Sequence, residues 1–437
     1  MFSETIKSIV LIMLVISSAI LTYLVWSYQP EFSQMDTSIE PSPNIGQSET
    51  VPFTNVMRAY QTVWVDGNDA RGTIEEEAVV GVREFLEGTE IQDINVYNNM
   101  NRLDPAVRED GLEEFLIVDY PSEMPNKSLF QVLGFEYEGT LPDYSFDRIV
   151  VDLAADNVTF YLLNESLDRV AVANTDIGSS YLLSILEDYE DSFESYTGLI
   201  TNQSTSNNKT AIYGPSDPGE MDIQNFLSSQ YSVDAMNDIL FMDEEISTSQ
   251  DEEVYVYESE SNVATYDSST YNYSYNNLDE SMSSGRNPHQ TIQDTFSFLN
   301  SHTGLTPEHM LFDYMEDSNE SIYRSTLNGH VVFSNEIMST VSIQYGDNAV
   351  FEYERPQIHV DAHVPGDSTK ELPTLENVRY QIALNEELDL QNVSKITIGY
   401  DLSFAESQTE LNLLQFTPEW YVKYDGQWMQ FDEGGLQ

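Results

Sequence analysis

The chain has 437 residues and a formal net charge of -58, from 17 Lys and Arg against 75 Asp and Glu. A body this negative repels phosphate backbones and anionic lipid headgroups, which argues against nucleic-acid binding. The absence of cysteine excludes disulfides, thiol chemistry and thiolate metal sites. With 40% hydrophobic residues the chain can still bury more than one core, so its length predicts two or three domains.

The acidic residues admit two interpretations. One is a partner that is cationic or rich in metal ions and is attracted by the negative surface. The other is a solvated surface suited to a salty or alkaline habitat, where screening removes much of the self-repulsion. The acid is spread along the chain rather than clustered, which favours the second interpretation without excluding the first.

Residues 8–26 read SIVLIMLVISSAILTYLVW and carry no charge. At about 1.5 Å per residue, a helix of this length spans roughly 28 Å, which is close to the hydrocarbon thickness of a membrane. Lys7 precedes the run and acidic residues follow it from Glu31 onwards, which predicts a cytoplasmic N-terminus and an extracellular body. The run is too long for a signal peptide and no Ala-x-Ala-like site follows it, so we predict an uncleaved single-pass anchor in the cell membrane.

Four residues near the middle of this predicted anchor are small or β-branched and share one helical face. They are Val15, Ser18, Ala19 and Thr22. A strip of this kind lets another helix approach closely, so these residues are the candidate partner-binding site. The alternative is that the hydroxyl groups bond back to carbonyls of their own helix.

The first half of the body contains helix and strand patterns in alternation. Thr73 and Glu76 form a capping-box pattern before an apolar face that ends at Gly88, which predicts a helix between them. Further on, the patterns predict a buried strand, a short helix, three strands of a meander and another helix, at 115–119, 125–133, 148–153, 158–163, 170–173 and 181–189. The polar stretch 201–209 predicts a domain boundary.

In the middle of the chain, residues 222–240 predict two short helices that are split near Ser232. Tyrosines then alternate with Ser, Asn and acids between 254 and 275. This period of two favours a half-exposed antiparallel sheet with tyrosines on one face. The alternative is a tyrosine-rich adhesive or stacking surface.

The last third is rich in strands. The patterns predict helices at 289–301 and 375–383, and hairpins at 340–353 and 420–431. Together these patterns predict a multidomain α+β ectodomain with antiparallel sheets, preceded by one N-terminal transmembrane helix. The predicted divisions are a cytoplasmic tail (1–7), the transmembrane helix (8–26), a linker (27–50), an N-terminal α/β domain (51–204), a middle domain (205–285) and a C-terminal α+β domain (286–437).

Common catalytic and nucleotide-binding motifs do not occur in the sequence, so we predict no enzyme, no catalytic residues and no cofactor. The sharpest constellation is His359-Val-Asp361-Ala-His363. On a regular strand its three polar side chains would share one face about 7 Å apart, at a spacing that can hold zinc. The alternative, an exposed polar strand face without metal, is favoured because no supporting polar groups are obvious nearby.

Three stretches carry a resemblance to a known family: Ile6 to Trp26, Glu371 to Tyr400, and the terminal FTPEWYVKYDGQW from Phe416 to Trp428. In the placement of their charges, their order along the chain and their residue pattern, they resemble the YycH family of accessory regulators from low-GC Gram-positive bacteria. The length and order fit essentially the whole chain, with 205–285 as the weakest part.

This resemblance implies a single-pass membrane protein with a multidomain α/β exterior. Together with a YycI-like membrane protein, it would act on a sensor histidine kinase of the WalK (YycG) type that controls cell-wall metabolism. Contact would run largely through transmembrane helices, and no catalytic residue carries over. Both inhibition and activation occur in the family, so the resemblance does not imply the sign of the effect.

Two other functions stay open on the sequence alone. One is a membrane-anchored extracellular protein that binds the cell wall, or a metal-dependent wall enzyme with the segment from His359 to His363 as its site. The other is a tyrosine-rich adhesin. Zinc bound stoichiometrically to the purified protein would favour the enzyme, and direct binding to wall polymer would favour the adhesin.

Overall fold

The structure is a computed structural model that describes residues 45, 50–98, 113–164, 169–200, 211–242, 244–282, 285–405, 413–432 and 435–436. Residues 43–437 form one compact unit. The predicted anchor at 8–26, with its candidate partner-binding residues, lies outside the described residues, and so does the polar stretch 201–209. Within the described ranges, no helix is both long and apolar enough to cross a membrane.

The described residues contain seven α-helices. They are α1 (Phe53–Val56), α2 (Glu76–Leu86), α3 (Asn126–Val132), α4 (Ser179–Asp188), α5 (Val233–Phe241), α6 (Pro288–Ser301) and α7 (Leu375–Leu384). Apolar residues recur at helical spacing on the buried side of each longer helix, as in Ile292, Phe296 and Leu299 of α6. Each of these helices therefore packs one stripe against a sheet.

The first half of the chain forms a nine-stranded sheet. Its strands are β1 (Gln61–Asp66), β2 (Asp69–Thr73), β3 (Ile91–Tyr97), β4 (Glu114–Pro125), β5 (Ser145–Asp152), β6 (Asn157–Asn164), β7 (Arg169–Gly178), β8 (Glu194–Ile200) and β9 (Ala211–Pro215). Their order is β3-β7-β6-β5-β4-β1-β2-β8-β9, and each neighbouring pair is antiparallel. Valine, leucine and isoleucine fill the central strands, which are buried on both faces.

The second half of the chain supplies the remaining strands. They are β10 (Glu220–Asp222), β11 (Gln224–Gln230), β12 (Ser247–Asp251), β13 (Val254–Glu258), β14 (Asn262–Asp267), β15 (Asn272–Asn277), β16 (His309–Met315), β17 (Glu320–Leu327), β18 (His330–Phe333), β19 (Thr340–Tyr345), β20 (Val350–Pro356), β21 (Ile358–Val364), β22 (Thr369–Glu371), β23 (Val393–Phe404), β24 (Leu413–Tyr424), β25 (Gln427–Asp432) and β26 (Gly435–Leu436).

All but two of these strands form one 15-stranded sheet, here called the second sheet. Its main path is β12-β13-β14-β15-β20-β19-β17-β18-β23-β24-β11-β21, with β16 beside β17, β25 beside β24, and β26 beside β25. The strands β10 and β22 pair separately. Within the second sheet the pair β18–β23 is parallel, whereas the other pairs are antiparallel.

The largest hydrophobic core runs without a break from the nine-stranded sheet into the second sheet. Helices α2, α3 and α4 contribute Val82, Leu129 and Leu186 to it, while α5 and α6 contribute Leu240 and Leu299. The ring of Phe53 on α1 packs edge-on against Phe296 on α6, with centroids 5.1 Å apart. The two sheets are therefore joined through their helical layers, and the fold is mixed α+β with antiparallel sheets.

Most of the predicted local elements are confirmed. The strand at 115–119, the 148–173 meander, helix α6 and helix α7 appear close to their expected bounds. In the terminal hairpin, Asp425 and Gly426 have φ of 49° and 81°, as a two-residue turn with positive φ at both positions requires. The tyrosine-rich segment forms β13, β14 and β15, with buried and partly buried residues alternating along β14.

Two local predictions are wrong. The first of the two helices expected within 222–240 is strand β11, because pairing with β21 on one side and β24 on the other outweighs local propensity. Only the second helix, α5, forms, and the Ser232 hydroxyl caps it by accepting a hydrogen bond from the Ala235 amide. The capping box at Thr73 is also absent, because Thr73 ends β2 opposite Thr62 and α2 starts later, at Glu76.

The predicted domain divisions stay predictions. Two features of the fold bear on how they would be tested. Strands β8 and β9 flank the stretch 201–210 and pair with each other in the nine-stranded sheet. Strand β15 pairs with β20 from Asn272 opposite Pro356 to Asn276 opposite Glu352, so residues on both sides of position 285 share one sheet.

Candidate functional site

The histidine segment lies on β21, at one edge of the second sheet. His359 Nδ1 is 2.7 Å from Asp361 Oδ1, and the Ser229 hydroxyl donates to that same oxygen over 3.1 Å. His363 instead lies opposite Phe226, with ring centroids 5.2 Å apart.

A register shift separates the two histidines of this segment. It falls between Phe226 and Ser228 of β11, so His359 pairs with Ser229 whereas His363 pairs with Phe226. Ser229 and Phe226 point to opposite faces of β11, which places the two histidines on opposite faces of the sheet. The prediction that the three polar side chains share one face is therefore wrong.

This separation removes the geometry on which a zinc site at β21 depends. Within the described ranges, no group of three or more His, Cys, Asp or Glu side chains is arranged to hold a metal ion. The structure brings His359 and Asp361 together as a surface pair and leaves His363 with an aromatic neighbour.

A buried ion pair lies at the centre of the nine-stranded sheet. Asp119 on β4 and Arg148 on β5 are opposite each other in register and are 0% and 1% exposed. Arg148 Nε donates to Asp119 Oδ1 over 2.6 Å, and Nη2 donates to Oδ2 over 3.1 Å. Gln61 Nε2 donates to Asp119 Oδ2 over 2.9 Å, so both carboxylate oxygens are bound. This bidentate geometry is the strongest form of an Arg–carboxylate pair.

The protonation of Asp119 follows from these neighbours. Burial alone would raise the pKa of its carboxyl group. The charges of Arg148 and Lys395, together with the hydrogen bonds from Arg148 and Gln61, outweigh burial and hold the pKa below its ordinary value. Asp119 is therefore ionised at neutral pH and its charge is compensated inside the sheet.

Two lysines of the second sheet reach into the same region. Lys395 on β23 and Lys423 on β24 are opposite each other in register. They meet the nine-stranded sheet at the place where the regular pairing of β4 with β5 is interrupted, between Asp119 and Met124. Lys395 Nζ is 2.7 Å from Asp147 Oδ2, and Lys423 Nζ donates to the carbonyl of Pro121 over 3.0 Å.

We call Asp119, Arg148, Asp147, Lys395 and Lys423 the buried charge cluster. Burial lowers the pKa of Lys423, and the nearby positive charge of Lys395 adds to that effect, while Asp313 and Asp147 oppose it. A cluster whose charges are compensated only in one arrangement favours that arrangement over looser ones. It therefore holds the two sheets in a fixed relation.

The burial of basic residues also changes the balance of charge on the surface. In the described part of the chain, four basic residues are buried (Arg58, Arg148, Arg355 and Lys395), against only two acidic ones, Asp119 and Asp147. The chain has 17 basic and 75 acidic residues, so burying bases removes a larger share of the positive charge. The ratio of acidic to basic residues is therefore higher on the exterior than the composition alone implies.

Sequence reasoning missed this cluster, although a signal for it exists. Asp119 ends the apolar run FLIVD, Arg148 precedes IVV, and Lys395 and Lys423 stand within strand patterns. A charged residue inside an apolar strand is rarely tolerated unless it is paired. The partners come from distant parts of the chain, so the pairing itself was not predictable.

Both halves of the chain match known family descriptions. Residues 4–194 match the family described as "YycH protein, N-terminal domain". Residues 209–434 match the family described as "YycH protein, C-terminal domain". The first match ends at Glu194, the first residue of β8, and the second covers β9 and nearly all of the second sheet.

A relative and a solved structure agree with these matches. The Bacillus subtilis (strain 168) protein named "Two-component system WalR/WalK regulatory protein YycH" is 20% identical over an alignment 451 residues long, gaps included. The alignment covers 97% of this chain and 95% of the relative. The crystal structure of YycH from Bacillus subtilis has a TM-score of 0.68 at 13% identity, covering 88% of this chain and 98% of that one. The resemblance noted in the sequence is confirmed, and the chain belongs to the YycH family.

Proposed function

We propose that this chain regulates a two-component sensor histidine kinase of the WalK type from the outer side of the cell membrane. The observation that carries the proposal is the match to both YycH domains across nearly the whole length of the chain. The Bacillus subtilis relative is named as a regulatory protein of the WalR/WalK system. Because that relative is matched over almost its full length, a shared role is the simplest expectation.

The proposed placement rests on the uncharged run at 8–26. Its length suits one crossing, and the charges on either side favour a cytoplasmic N-terminus with the body outside. The strongly negative body agrees with this placement, since an anionic exterior would be held away from lipid headgroups. In this arrangement the chain would meet the kinase and a YycI-like membrane protein inside the bilayer.

We further propose that the working contact is the helical face formed by Val15, Ser18, Ala19 and Thr22. Lipid tails give helices no hydrophobic reason to associate, so small residues that allow close packing decide which faces meet. The large acidic body would then determine how the anchor is presented to its partners. The buried charge cluster supports this role because Lys395 and Lys423 link the two sheets of the body through Asp147 and the Pro121 carbonyl.

Replacing Ser18, Ala19 and Thr22 together by leucine is expected to reduce the kinase recovered with the full-length protein about fivefold or more. Leucine side chains would hold the partner helix away, and losing about 1 kcal/mol of helix packing lowers the binding constant roughly fivefold. The measurement is co-purification from detergent-solubilised membranes, with the amount of anchored protein matched.

The control variant places leucine at Met13, Ser17 and Ile20, on the opposite face of the same helix. It has the same number of substitutions and removes one hydroxyl group, adds bulk only at Ser17, and leaves the small-residue strip intact. Kinase recovery with the control should remain within twofold of the parent chain. Equal recovery with the two triple variants would contradict the assignment of this face.

A further inference from the structure

A buried arginine on β20 has no acidic partner. Four basic residues are buried in the described part of the chain, and three of them pair with a carboxylate: Arg58 with Glu76, Arg148 with Asp119 and Lys395 with Asp147. The fourth is Arg355, which is 2% exposed. Among the described residues, no carboxylate lies at ion-pair distance from its guanidinium group.

Within the described ranges, Arg355 contacts neutral groups. Its Nη1 donates to the Tyr353 hydroxyl over 3.2 Å and to the Gly304 carbonyl over 3.4 Å, while Nε donates to the Pro356 carbonyl over 3.3 Å. These are long hydrogen bonds, since N–H···O distances centre at about 2.9–3.0 Å. The guanidinium carbon lies 4.8 Å from the centroid of the Tyr231 ring, a contact that favours a cation less than an ion pair does. The positive charge of Arg355 is therefore only partly compensated.

The acids of the exterior do not replace a partner for Arg355. The charge of Glu308 acts on both Tyr231 and His309 near the arginine, but the Glu308 side chain is exposed. Water screens a charge in that position far more strongly than the interior would. A buried cation without an opposite charge beside it is costly, because the interior replaces little of the hydration that the cation loses.

The imidazole of His302 lies beside the same groups. It is 1% exposed, and its ring centroid is 6.3 Å from that of Tyr353. Gly304 lies against it, since a Cβ on Gly304 would be 2.9 Å from His302 Nε2. In the described part of the chain, neither ring nitrogen has a hydrogen-bond partner. Burial and the charge of Arg355 lower the pKa of His302 to about 3, so the ring is neutral and has one N–H to donate.

Gln357 adds a second side chain whose hydrogen-bonding groups are unused. Burial alternates along this stretch, so Tyr353, Arg355 and Gln357 point to the same buried face. Neither the nitrogen nor the oxygen of the Gln357 side chain has a partner among the residues that the structure describes. Buried polar groups are nearly always hydrogen-bonded, so unpaired groups beside a buried cation indicate a bound water or ion.

An anion suits these groups better than water does. Arg355 supplies a full positive charge, His302 one N–H and Gln357 an NH₂ group. Water would satisfy single atoms but would leave the charge of Arg355 uncompensated. The covering residues 302–305 are all buried, so a carboxylate carried by a partner protein has no direct approach, whereas a monatomic ion needs little room.

We propose that Arg355, His302 and Gln357 form a binding site for a small monovalent anion of the size of chloride. The loop that covers this site also receives the N-terminal segment, because the Ile45 amide donates to the His302 carbonyl over 3.1 Å. Ile45 is buried and is the described residue nearest in sequence to the predicted anchor. A bound anion therefore stabilises the place where that segment joins the body, which goes beyond the proposed function.

The test follows thermal unfolding of the full-length protein in detergent, at a constant 0.3 M sodium, as chloride replaces gluconate. Constant sodium keeps the screening of the acidic surface unchanged, and gluconate is too large for a site of this kind. The unfolding midpoint should rise by at least about 2 °C between zero and 0.3 M chloride, because a ligand that binds only the folded state stabilises it.

Two variants locate the effect. Arg355→Met removes the charge but keeps an unbranched side chain, and it should reduce the rise to below about 0.5 °C. Arg379→Met removes an exposed guanidinium that pairs with Glu376 on α7, and it should leave the rise as in the parent. The proposal is overturned if the parent shows no rise, or if Arg355→Met shows the same rise, which would then be a general salt effect.

A second measurement keeps the proposal testable if Arg355→Met does not fold. Chlorine NMR detects chloride that exchanges with a protein site as a broadened chloride line. The parent should broaden the line, and bromide should compete for the site and reverse the broadening. Gln357→Leu keeps the charge but removes the NH₂ donor, and it should weaken chloride binding at least threefold. Equal binding by the parent and Gln357→Leu would contradict the site. None of these results involves the kinase, so failure of the site and failure of the proposed function are distinguishable.

Discussion

Replacing Asp119 by alanine is expected to lower the free energy of unfolding by about 3–5 kcal/mol, a large part of the stability of a typical domain. The change leaves the Arg148 guanidinium buried without its carboxylate partner and removes the acceptor of the Gln61 amide. It also takes a negative charge away from the region of Lys395, which contributes to the low pKa of Asp119. The measurement is urea unfolding at pH 7, followed by tryptophan fluorescence.

An exposed ion pair in the same sheet provides the matched control. Asp69 on β2 lies 3.4 Å from the Arg71 guanidinium, and its side chain is largely in solvent. Because water compensates both charges, Asp69→Ala should change the free energy of unfolding by less than about 1 kcal/mol. A loss for Asp119→Ala no larger than that for Asp69→Ala would show that the buried pair of Asp119 and Arg148 does not stabilise the fold.

Acidification from pH 7 to pH 4.5 is expected to destabilise the fold by several kcal/mol. Burial lowers the pKa of His302 to about 3 and the pKa values of His309 and His330 to about 4, with the nearby Arg355 adding to the effect at His302 and His309. The fold therefore favours the neutral imidazoles. Their stabilising contribution is complete above the ordinary pKa of 6.5 and is lost as the pH falls towards 4.

The size of this effect follows from the width of that pH window. Each histidine that stays neutral from pH 6.5 down to pH 4.5 contributes up to ~2 kcal/mol, since one pKa unit corresponds to about 1.4 kcal/mol. Asp401 acts in the opposite direction, because burial and the nearby Glu419 and Glu336 raise its pKa to about 6. Burial likewise raises the pKa values of Glu114 and Glu352. The three histidines outweigh these carboxyl groups, so the fold loses stability on acidification.

Variants at two histidines separate this cause from general acid denaturation. His330→Gln removes a half-buried titratable ring whose Nδ1 lies 3.1 Å from the Ile398 carbonyl, and it should reduce the pH slope of stability between 6.5 and 4.5 by about a third. His363→Gln removes an exposed ring and should leave the slope unchanged. Identical slopes for the parent chain and both variants would contradict the assignment to the buried histidines.

Elements specified by neighbouring residues could be predicted from the sequence. The turn at Asp425 and Gly426 needs two positive φ values, and that local requirement is visible in the residue types. The alternating tyrosines of β13 and β15 likewise show the period of a strand in the sequence itself. Short-range patterns of this kind account for most of the helices and hairpins.

Features that depend on distant partners could not be predicted. Strand β11 reads locally as a helix but lies between β21 and β24, whose residues are more than 100 positions away. The register shift beside Ser228 separates His359 from His363, and nothing in the spacing of the two histidines indicates it. The pairing of Lys395 with Asp147 joins two sheets across 248 positions.

The sequence and the structure address different parts of the candidate site. The face formed by Val15, Ser18, Ala19 and Thr22 comes from helical spacing alone, and it stays a prediction because those residues lie outside the described part of the chain. The structure instead contributes the buried charge cluster and the buried arginines Arg58 and Arg355. These features give the acidic composition a physical consequence, since among the described residues four bases but only two acids are buried.

The central claim, that this chain regulates a sensor histidine kinase, is tested most directly by the phosphorylation of the response regulator that the kinase serves. The measurement compares the phosphorylated fraction in cells that make the full-length protein with that in cells that lack it. We expect a change of at least twofold, in either direction, restored when the protein is supplied again. An unchanged fraction, with the protein present in the membrane at its normal level, would contradict the account.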